Sequence, residues 1–263
     1  MARVTFQKYE GLGNDFILVE LPKESLAPAV VQRLCDRHFG IGADGVLLVG
    51  PPRTPRAAAT MTVLNADGSE PEMCGNGLRC VALHVAAQAG RDEAEFLVDT
   101  DAGTLSCKVA GGNVEVDMGR LVDQGVVEVA IAGRTHRFSR ISAGNPHAVT
   151  FESYEERAID EVGPLVATAT VFPDGTNVEF ARLADDGSID LVVWERGAGL
   201  TDACGTGACA AAVAAVRRGD ARPGAPVEVR LPGGALQITV GDDLARVTMK
   251  GPAERVFAGE TEL

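Results

Sequence analysis

The sequence has no apolar run long enough to cross a bilayer. Its most hydrophobic segment, Ala208 to Val216, falls far short of the ~20 residues a spanning helix needs. The opening, MARVTFQKYEGLG, lacks the apolar core of a secretory signal. Positive charge is in deficit, with 24 Lys and Arg against 37 Asp and Glu and a net charge of −13. That balance argues against nucleic-acid binding, which draws its affinity from basic patches on phosphates. Low-complexity segments are missing, and GPPRTPR (Gly50 to Arg56) reads as a surface loop rather than a linker. Lysine is scarce. From these absences a cytoplasmic globular protein with a small molecule as its partner is expected. A chain of 263 residues, 46% hydrophobic, has core enough for one large domain or two medium ones. Its six cysteines, without an export signal, are expected as reduced thiols.

What is present is a repeat. Cys74-Gly75-Asn76-Gly77, in the stretch EMCGNGLRC, returns as Cys204-Gly205-Thr206-Gly207 after 130 positions. Nine residues before each cysteine a β-prone run ends in a polar side chain, TMTVLN in Asn65 and DLVVWE in Glu195. Gly13-Asn14 and Gly144-Asn145 repeat at nearly the same offset, as do Asp44-Gly45 and Asp174-Gly175. Several pairs at one offset indicate an internal duplication, with lobes 1–118 and 119–250 joined near Met118 to Asp123.

Each half runs in the same order. Short strands are expected at Val4 to Tyr9, Phe16 to Glu20, Val46 to Val49 and Met61 to Leu64. A short helix follows at Ala27 to Asp36 in one half and Tyr154 to Ala167 in the other. After each cysteine motif comes an Ala-rich helix, apolar nearly all round and closed by glycine. Strands return at Ala94 to Asp99, Thr104 to Val109 and Val114 to Asp117, then Val227 to Arg230, Leu236 to Val240 and Ala245 to Lys250. A helix apolar on every side is wrapped by sheet. The fold class is therefore α+β, two pseudo-symmetric lobes each with strands around a central helix, and the active site is expected in the cleft between them.

Each cysteine falls at the first turn of its buried helix, where unpaired amides and the positive end of the dipole meet. Such a place binds a carboxylate and favours thiolate over thiol, moving a cysteine pKa from about 8.5 to roughly 3.5–7.5. Two such thiols on opposite sides of one carbon can invert it, one removing a proton and the other returning one to the far face. The amides of Gly75, Asn76, Gly205 and Thr206 would stabilise the charge that builds on the neighbouring carboxylate. No lysine lies in either motif, so no pyridoxal-phosphate signature is evident and no cofactor is expected. Cysteine spacings of C-x₅-C and C-x₄-C do not suit zinc, and no metal is expected.

The motifs resemble those of the diaminopimelate epimerases: Gly11 to Phe16, Asn65 to Glu70, Cys74 to Cys80, Gly144 to His147 and Glu195 to Gly207, in family order over nearly the whole chain. The resemblance implies a cofactor-independent isomerase that interconverts LL- and meso-diaminopimelate on the route to lysine and peptidoglycan. It implies Cys74 and Cys204 as the acid–base pair, with substrate contacts from Asn14, Asn65, Asn145, Asn177, Glu195 and Arg196 and from the amides at Gly75, Asn76, Gly205 and Thr206. His147 and Glu195 are candidates to modulate the cysteine pKa values, and the Arg196 fork suits a distal carboxylate. Two departures stand out, Gly45 where some members have Gln and Phe257 where some have Tyr at a dimer contact. The resemblance also implies a homodimer, and a last strand at about 251–263 that completes the first lobe.

Other readings stay open at this stage. A proline or hydroxyproline racemase-like enzyme would use the same two thiols but leave Asn65, Asn177 and Arg196 idle. A non-catalytic redox switch would use the thiols alone. Cys35, Cys80, Cys107 and Cys209 read as core, His38 and His84 as structural, and His136 as solvent-facing. Asp99, Asp101 and Asp117 read as strand-end charges.

Overall fold

The computed structural model describes residues 3–20, 26–71, 73–131, 133–242 and 246–262. The chain divides into two compact units, one formed by Met1–Asp117 with Lys250–Leu263 and the other by Met118–Met249.

In the first unit the order is β1 (Arg3–Gly11), β2 (Asn14–Glu20), α1 (Pro28–Cys35), β3 (Gly45–Gly50), β4 (Ala57–Asn65), α2 (Gly75–Gln88), β5 (Glu93–Thr100), β6 (Gly103–Ala110) and β7 (Asn113–Asp117). The second holds β8 (Val122–Ile131), β9 (Arg134–Ser142), β10 (Pro146–Thr150), α3 (Glu156–Ala167), β11 (Asn177–Leu183), β12 (Ile189–Glu195), β13 (Gly199–Thr201), α4 (Gly205–Arg218), β14 (Pro226–Leu231) and β15 (Gly234–Val240). In β16 (Val247–Pro252) the chain passes back to the first unit, and β17 (Glu254–Glu262) ends it. Of the strand expected over Ala245 to Lys250, Ala245 lies outside the described residues, and the strand runs two residues further to Pro252.

The pairing repeats as the sequence does. From β2 to β6 the neighbours alternate parallel, antiparallel, parallel, antiparallel. The second unit gives the same alternation along β10, β11, β12, β14 and β15. Strand β17 lies antiparallel to β1 along almost its full length, from Arg3 opposite Glu262 to Glu10 opposite Glu254.

The two central helices carry little polar surface because strands surround them. Helix α4 packs on β9, β10, β11, β12, β14 and β15, and every residue from Gly205 to Ala215 is buried. Alanine dominates here since it is the best helix former and lets strands approach closely on all sides. Helix α2 packs on β1 to β7 and β17, with Leu78, Cys80, Val81, Ala82 and Ala86 inside. Both helices stop at a left-handed glycine, Gly90 at φ 66° and Gly219 at φ 82°, a conformation that costs other residues a Cβ clash.

Two readings of charged residues are corrected. Asp99 is no idle strand-end charge: it is buried and accepts from the amides of Arg53 and Thr54 (both 2.8 Å) and the hydroxyls of Thr54 (3.0 Å) and Thr104 (2.7 Å). It thereby ties down the proline-rich loop. His136 does not face solvent, because Tyr154 and Glu152 engage its Nδ1 at 2.8 and 3.0 Å and cover the ring.

Candidate active site

Cys74 ends an extended segment (φ −137°, ψ 110°) and caps α2, its Sγ accepting from the amide of Gly77 at 3.3 Å. Cys204 caps α4 in the same way (φ −127°, ψ 104°), accepting from Gly207 at 3.4 Å. The usual cap is an oxygen of Ser, Thr, Asp or Asn. Sulfur replaces it twice, at matching positions of the repeat. The carbonyls of both cysteines take the first intrahelical bonds, from Leu78 and Ala208 at 2.9 Å. The amides of Gly75 and Asn76, and of Gly205 and Thr206, come before that ladder starts. Glycine at the third helical position makes room for the sulfur of Cys204 in one helix and for Leu47 in the other. A Cβ on Gly207 would lie 3.1 Å from Sγ of Cys204, and one on Gly77 would lie 2.7 Å from Cδ2 of Leu47.

In the first unit a chain of amides meets the N-terminus of α2. Asp44 accepts from Nδ2 of Asn14 at 2.9 Å, Asn14 Oδ1 from Nδ2 of Asn76 at 3.2 Å, and Asn76 Oδ1 from Nη1 of Arg79 at 3.0 Å. Arg79 is fully buried, and its Nε donates to the carbonyl of Pro252 at 3.0 Å. Behind Asn14, Arg37 bridges Asp15 and Asp44, both at 2.7 Å, and Lys8 pairs with Asp15 at 2.5 Å. Burial alone would raise the Asp15 carboxyl, but the bonds from Arg37 and Lys8 outweigh it and hold the pKa at about 2. Asn65 closes β4, where its amide donates to Ser69 Oγ at 2.9 Å. It faces Gly45 across the β3–β4 ladder. No side chain fits at Gly45 as the strands stand, because its Cβ would lie 2.7 Å from the carbonyl oxygen of Leu64.

In the second unit the polar groups gather around Cys204. Its Sγ lies 3.6 Å from Thr206 Oγ1, which is 3.5 Å from Nδ2 of Asn145. Asn145 Oδ1 is 3.0 Å from Nε2 of His147, and Nδ1 of His147 is 2.6 Å from Oε1 of Glu179. Asn177 begins β11, donating to the carbonyl of Pro146 (3.1 Å) and accepting from the amide of Arg196 (2.9 Å). The Arg196 guanidinium is exposed and donates to the carbonyl of Asp174 at 2.7 Å. Glu195 ends β12 and accepts from the hydroxyl of Thr201 at 2.6 Å.

At Cys204 the expected preference for thiolate is reversed. Burial, then the charges of Glu195 and Glu179, push its pKa well above the ordinary value, against the smaller pull of Thr206 and the Gly207 amide. Glu195 is itself raised, first by burial and then by Glu179. A single helix terminus does not offset full desolvation beside two carboxylates. Cys35 and Cys107 sit in the core, where burial raises them to about 11 and about 12, and the six cysteines are not joined as disulfides.

Asn14 and Asn76 thus meet Arg79 in one unit, while Asn145, His147 and Thr206 meet Cys204 in the other. Sequence reasoning passed over Asp44 as a partner of Asn14, and Arg79, Thr201 and Glu179 altogether. A signal existed for Glu179, a lone carboxylate inside the apolar run NVEFA, whose five residues are all buried.

A family model described as diaminopimelate epimerase matches residues 6–122 and 139–256. The diaminopimelate epimerase of Synechocystis is 44% identical, with 99% of each chain covered. That of Nostoc punctiforme is 43% identical, covering 98% of this chain and 99% of its own. The chloroplastic enzyme of Oryza sativa is 41% identical over 97% of this chain and 79% of its own. Two solved structures share the fold at a TM-score of 0.79, a probable proline racemase from Agrobacterium radiobacter (17% identical) and a hydroxyproline epimerase from Agrobacterium vitis (18%), each aligned over 99% of this chain and 93% of its own. By the family match and by full-length relatives above 40% identity, the chain belongs to the diaminopimelate epimerase family.

Proposed function

We propose that the chain interconverts LL- and meso-2,6-diaminopimelate without a cofactor, Cys74 and Cys204 exchanging the roles of base and acid. The observation that carries this reading is the pair of sulfur-capped central helices at matching positions of the repeat, in a chain of this family. One thiolate takes the α-hydrogen and becomes a thiol, and the C–H electron pair moves onto the adjacent carboxylate. The other thiol then delivers its hydrogen to the opposite face and is left as thiolate. Charge and atoms balance, and the enzyme ends with its two sulfurs in exchanged states.

The carboxylate at the reacting centre is served by the amides of Gly75, Asn76, Gly205 and Thr206. One such donor is worth about 2.7–4 kcal/mol to a developing oxyanion. Asn14, Asn65, Asn145, Asn177, Glu195 and Arg196 bind the remaining polar groups of a substrate with two amino-acid heads, and the planar Arg196 fork matches a carboxylate. Burial, with the charges of Glu195 and Glu179, raises the Cys204 pKa well above its ordinary value and so favours the thiol there before substrate binds. The reading includes a homodimer, supported by Val256 and Phe257 exposed on β17. A cytoplasmic location suits six cysteines that are not joined as disulfides.

The test is incubation of the reduced protein with LL-diaminopimelate in heavy water, with no cofactor added, followed by proton NMR. Loss of the α-hydrogen signal with appearance of the meso isomer is expected, and both vanish in Cys74→Ala and in Cys204→Ala. Turnover of proline in its place would move the chain to the racemase reading. Response to oxidant alone, with neither amino acid changed, would leave only a thiol switch.

A further inference from the structure

The segments that lead from Asn65 to Cys74 and from Glu195 to Cys204 are equally long, nine positions each, yet they fold differently. Among its described residues the first forms no strand, and Asn65 Nδ2 donates to Ser69 Oγ at 2.9 Å. The second turns back as β13, antiparallel to β12, with Gly199 opposite Glu195, Leu200 opposite Trp194 and Thr201 opposite Val193. Opposed residues of an antiparallel pair share a face, and that face recurs at every second residue. Val193, Glu195 and Thr201 therefore lie on one face. Gly199, straight across from Glu195, has no side chain to place there, so Thr201 is the diagonal neighbour that reaches the carboxylate. Its hydroxyl donates to Oε1 at 2.6 Å, the length of a charge-assisted bond.

The same carboxylate is met from a second side, because Cys204 hydrogen-bonds to Glu195. Burial and the neighbouring carboxylates keep the hydrogen on that sulfur. Around Sγ the Gly207 amide can only donate, and the Thr206 hydroxyl can donate or accept. A carboxylate is the strongest acceptor of the three. The thiol therefore gives its hydrogen to Glu195 and receives from Gly207 and Thr206. Glu195 must be ionised to accept in this way. Burial pushes its pKa up and Glu179 adds to the rise, while the Thr201 hydroxyl is the largest influence against it, ahead of His147 and Cys204.

We propose that Thr201 is a positioning residue for the reaction: its hydroxyl holds the Glu195 carboxylate in place as the acceptor for the Cys204 thiol. The β12–β13 hairpin is the device that brings it there. Valine at this position keeps the β-branched shape that suits a strand and loses only the donor. The carboxylate is then free to turn, and the thiol loses a fixed partner.

This inference rests on the epimerase reading for its catalytic meaning, and its first test needs no substrate. The S–H stretch of a cysteine lies clear of other protein bands in the infrared, and its frequency drops as the thiol donates a stronger hydrogen bond. Subtracting the spectrum of Cys204→Ser isolates the Cys204 band, which is expected below those of the core thiols. In Thr201→Val that band should rise and broaden, and in Thr201→Ser it should return to its native place. A Cys204 band no lower than the others, or one that stays or falls in Thr201→Val, overturns the proposal even if diaminopimelate is turned over. In Glu195→Ala the band should also rise, and adding Thr201→Val should not move it again, since the hydroxyl acts through the carboxylate. A further shift there would show an independent role and overturn the proposal as well. With diaminopimelate, kcat should fall at least about tenfold in Thr201→Val and recover to within about threefold of native in Thr201→Ser. Thermal melts establish that each variant is folded, and Thr201→Ala replaces Thr201→Val if valine does not fold. Native kcat in a folded variant that lacks the hydroxyl overturns the proposal. If the native protein turned over no diaminopimelate, the epimerase reading would fall, and the infrared bands would still decide whether Thr201 holds the carboxylate against the thiol.

Discussion

Gly207 stands against Glu179: a Cβ built on the glycine would lie 3.0 Å from Oε1 of the glutamate and 3.1 Å from Sγ of Cys204. At Gly77 the nearest atom is the tip of Leu47, at 2.7 Å, and Sγ of Cys74 is 3.5 Å away. The same substitution should therefore act differently in the two halves. Gly207→Ala displaces the thiol and the carboxylate and should lower kcat strongly. Gly77→Ala overpacks the core at a cost of about 1–3 kcal/mol and should show mainly in the melting temperature. Paired kinetics and thermal melts of both variants check this, and equal kcat losses would contradict it.

Cys204 owes part of its high pKa to the charge of Glu195. Removing that negative charge stabilises the thiolate, so more of it exists at a given pH. In a Cys74→Ser background, iodoacetamide should label Cys204 slowly at neutral pH and faster once Glu195→Gln is added. Mass spectrometry of the labelled peptide reads the rate. Slower labelling in the Gln variant would mean that Glu195 does not oppose the thiolate.

Asp15 titrates at about 2 in the folded protein and at about 3.9 in an unfolded chain. Its depressed value means that the unfolded state binds the proton first as pH falls. The stabilisation is present above pH ~4 and is lost as pH drops towards ~2. Denaturant melts across that window should show a steeper loss for the native protein than for Asp15→Asn, which should already be less stable at neutral pH. Parallel curves would remove Asp15 from the balance.

Asp99 accepts four hydrogen bonds, three of them from the loop residues Arg53 and Thr54. Asp99→Ala should free that loop without touching the candidate site. Limited trypsin digestion is then expected to cut faster after Arg53 and Arg56, with epimerase activity retained. An unchanged digestion rate would show that the loop is held by something else.

The repeat of cysteine, glycine and asparagine placed both central helices and their caps correctly from the sequence, because a buried Ala-rich helix leaves an apolar pattern on every face. The companions of those cysteines were harder to read. Glu179 looks like any charge inside a strand, and only the register against His147 reveals what it touches. Asn14 was legible through its motif, whereas Asp44, which holds it, lies 30 positions on and meets it through the β2–β3 pairing. The direction of the Cys204 pKa could not be read at all. It depends on summing one helix terminus against burial and two carboxylates from separate strands. His136 was misread because Tyr154, the residue that covers it, arrives from the segment leading into α3.

Strand β17 pairs with β1 along nearly its whole length, yet it follows the entire second unit in chain order. A polypeptide leaving the ribosome therefore offers its earliest strand an open edge while every residue from 118 to 249 is still being made. The half that is translated first is the half that finishes last. Until the final segment arrives, the carbonyl of Pro252 that receives Arg79 does not exist, and of these two partners the guanidinium has only Asn76 of its own helix.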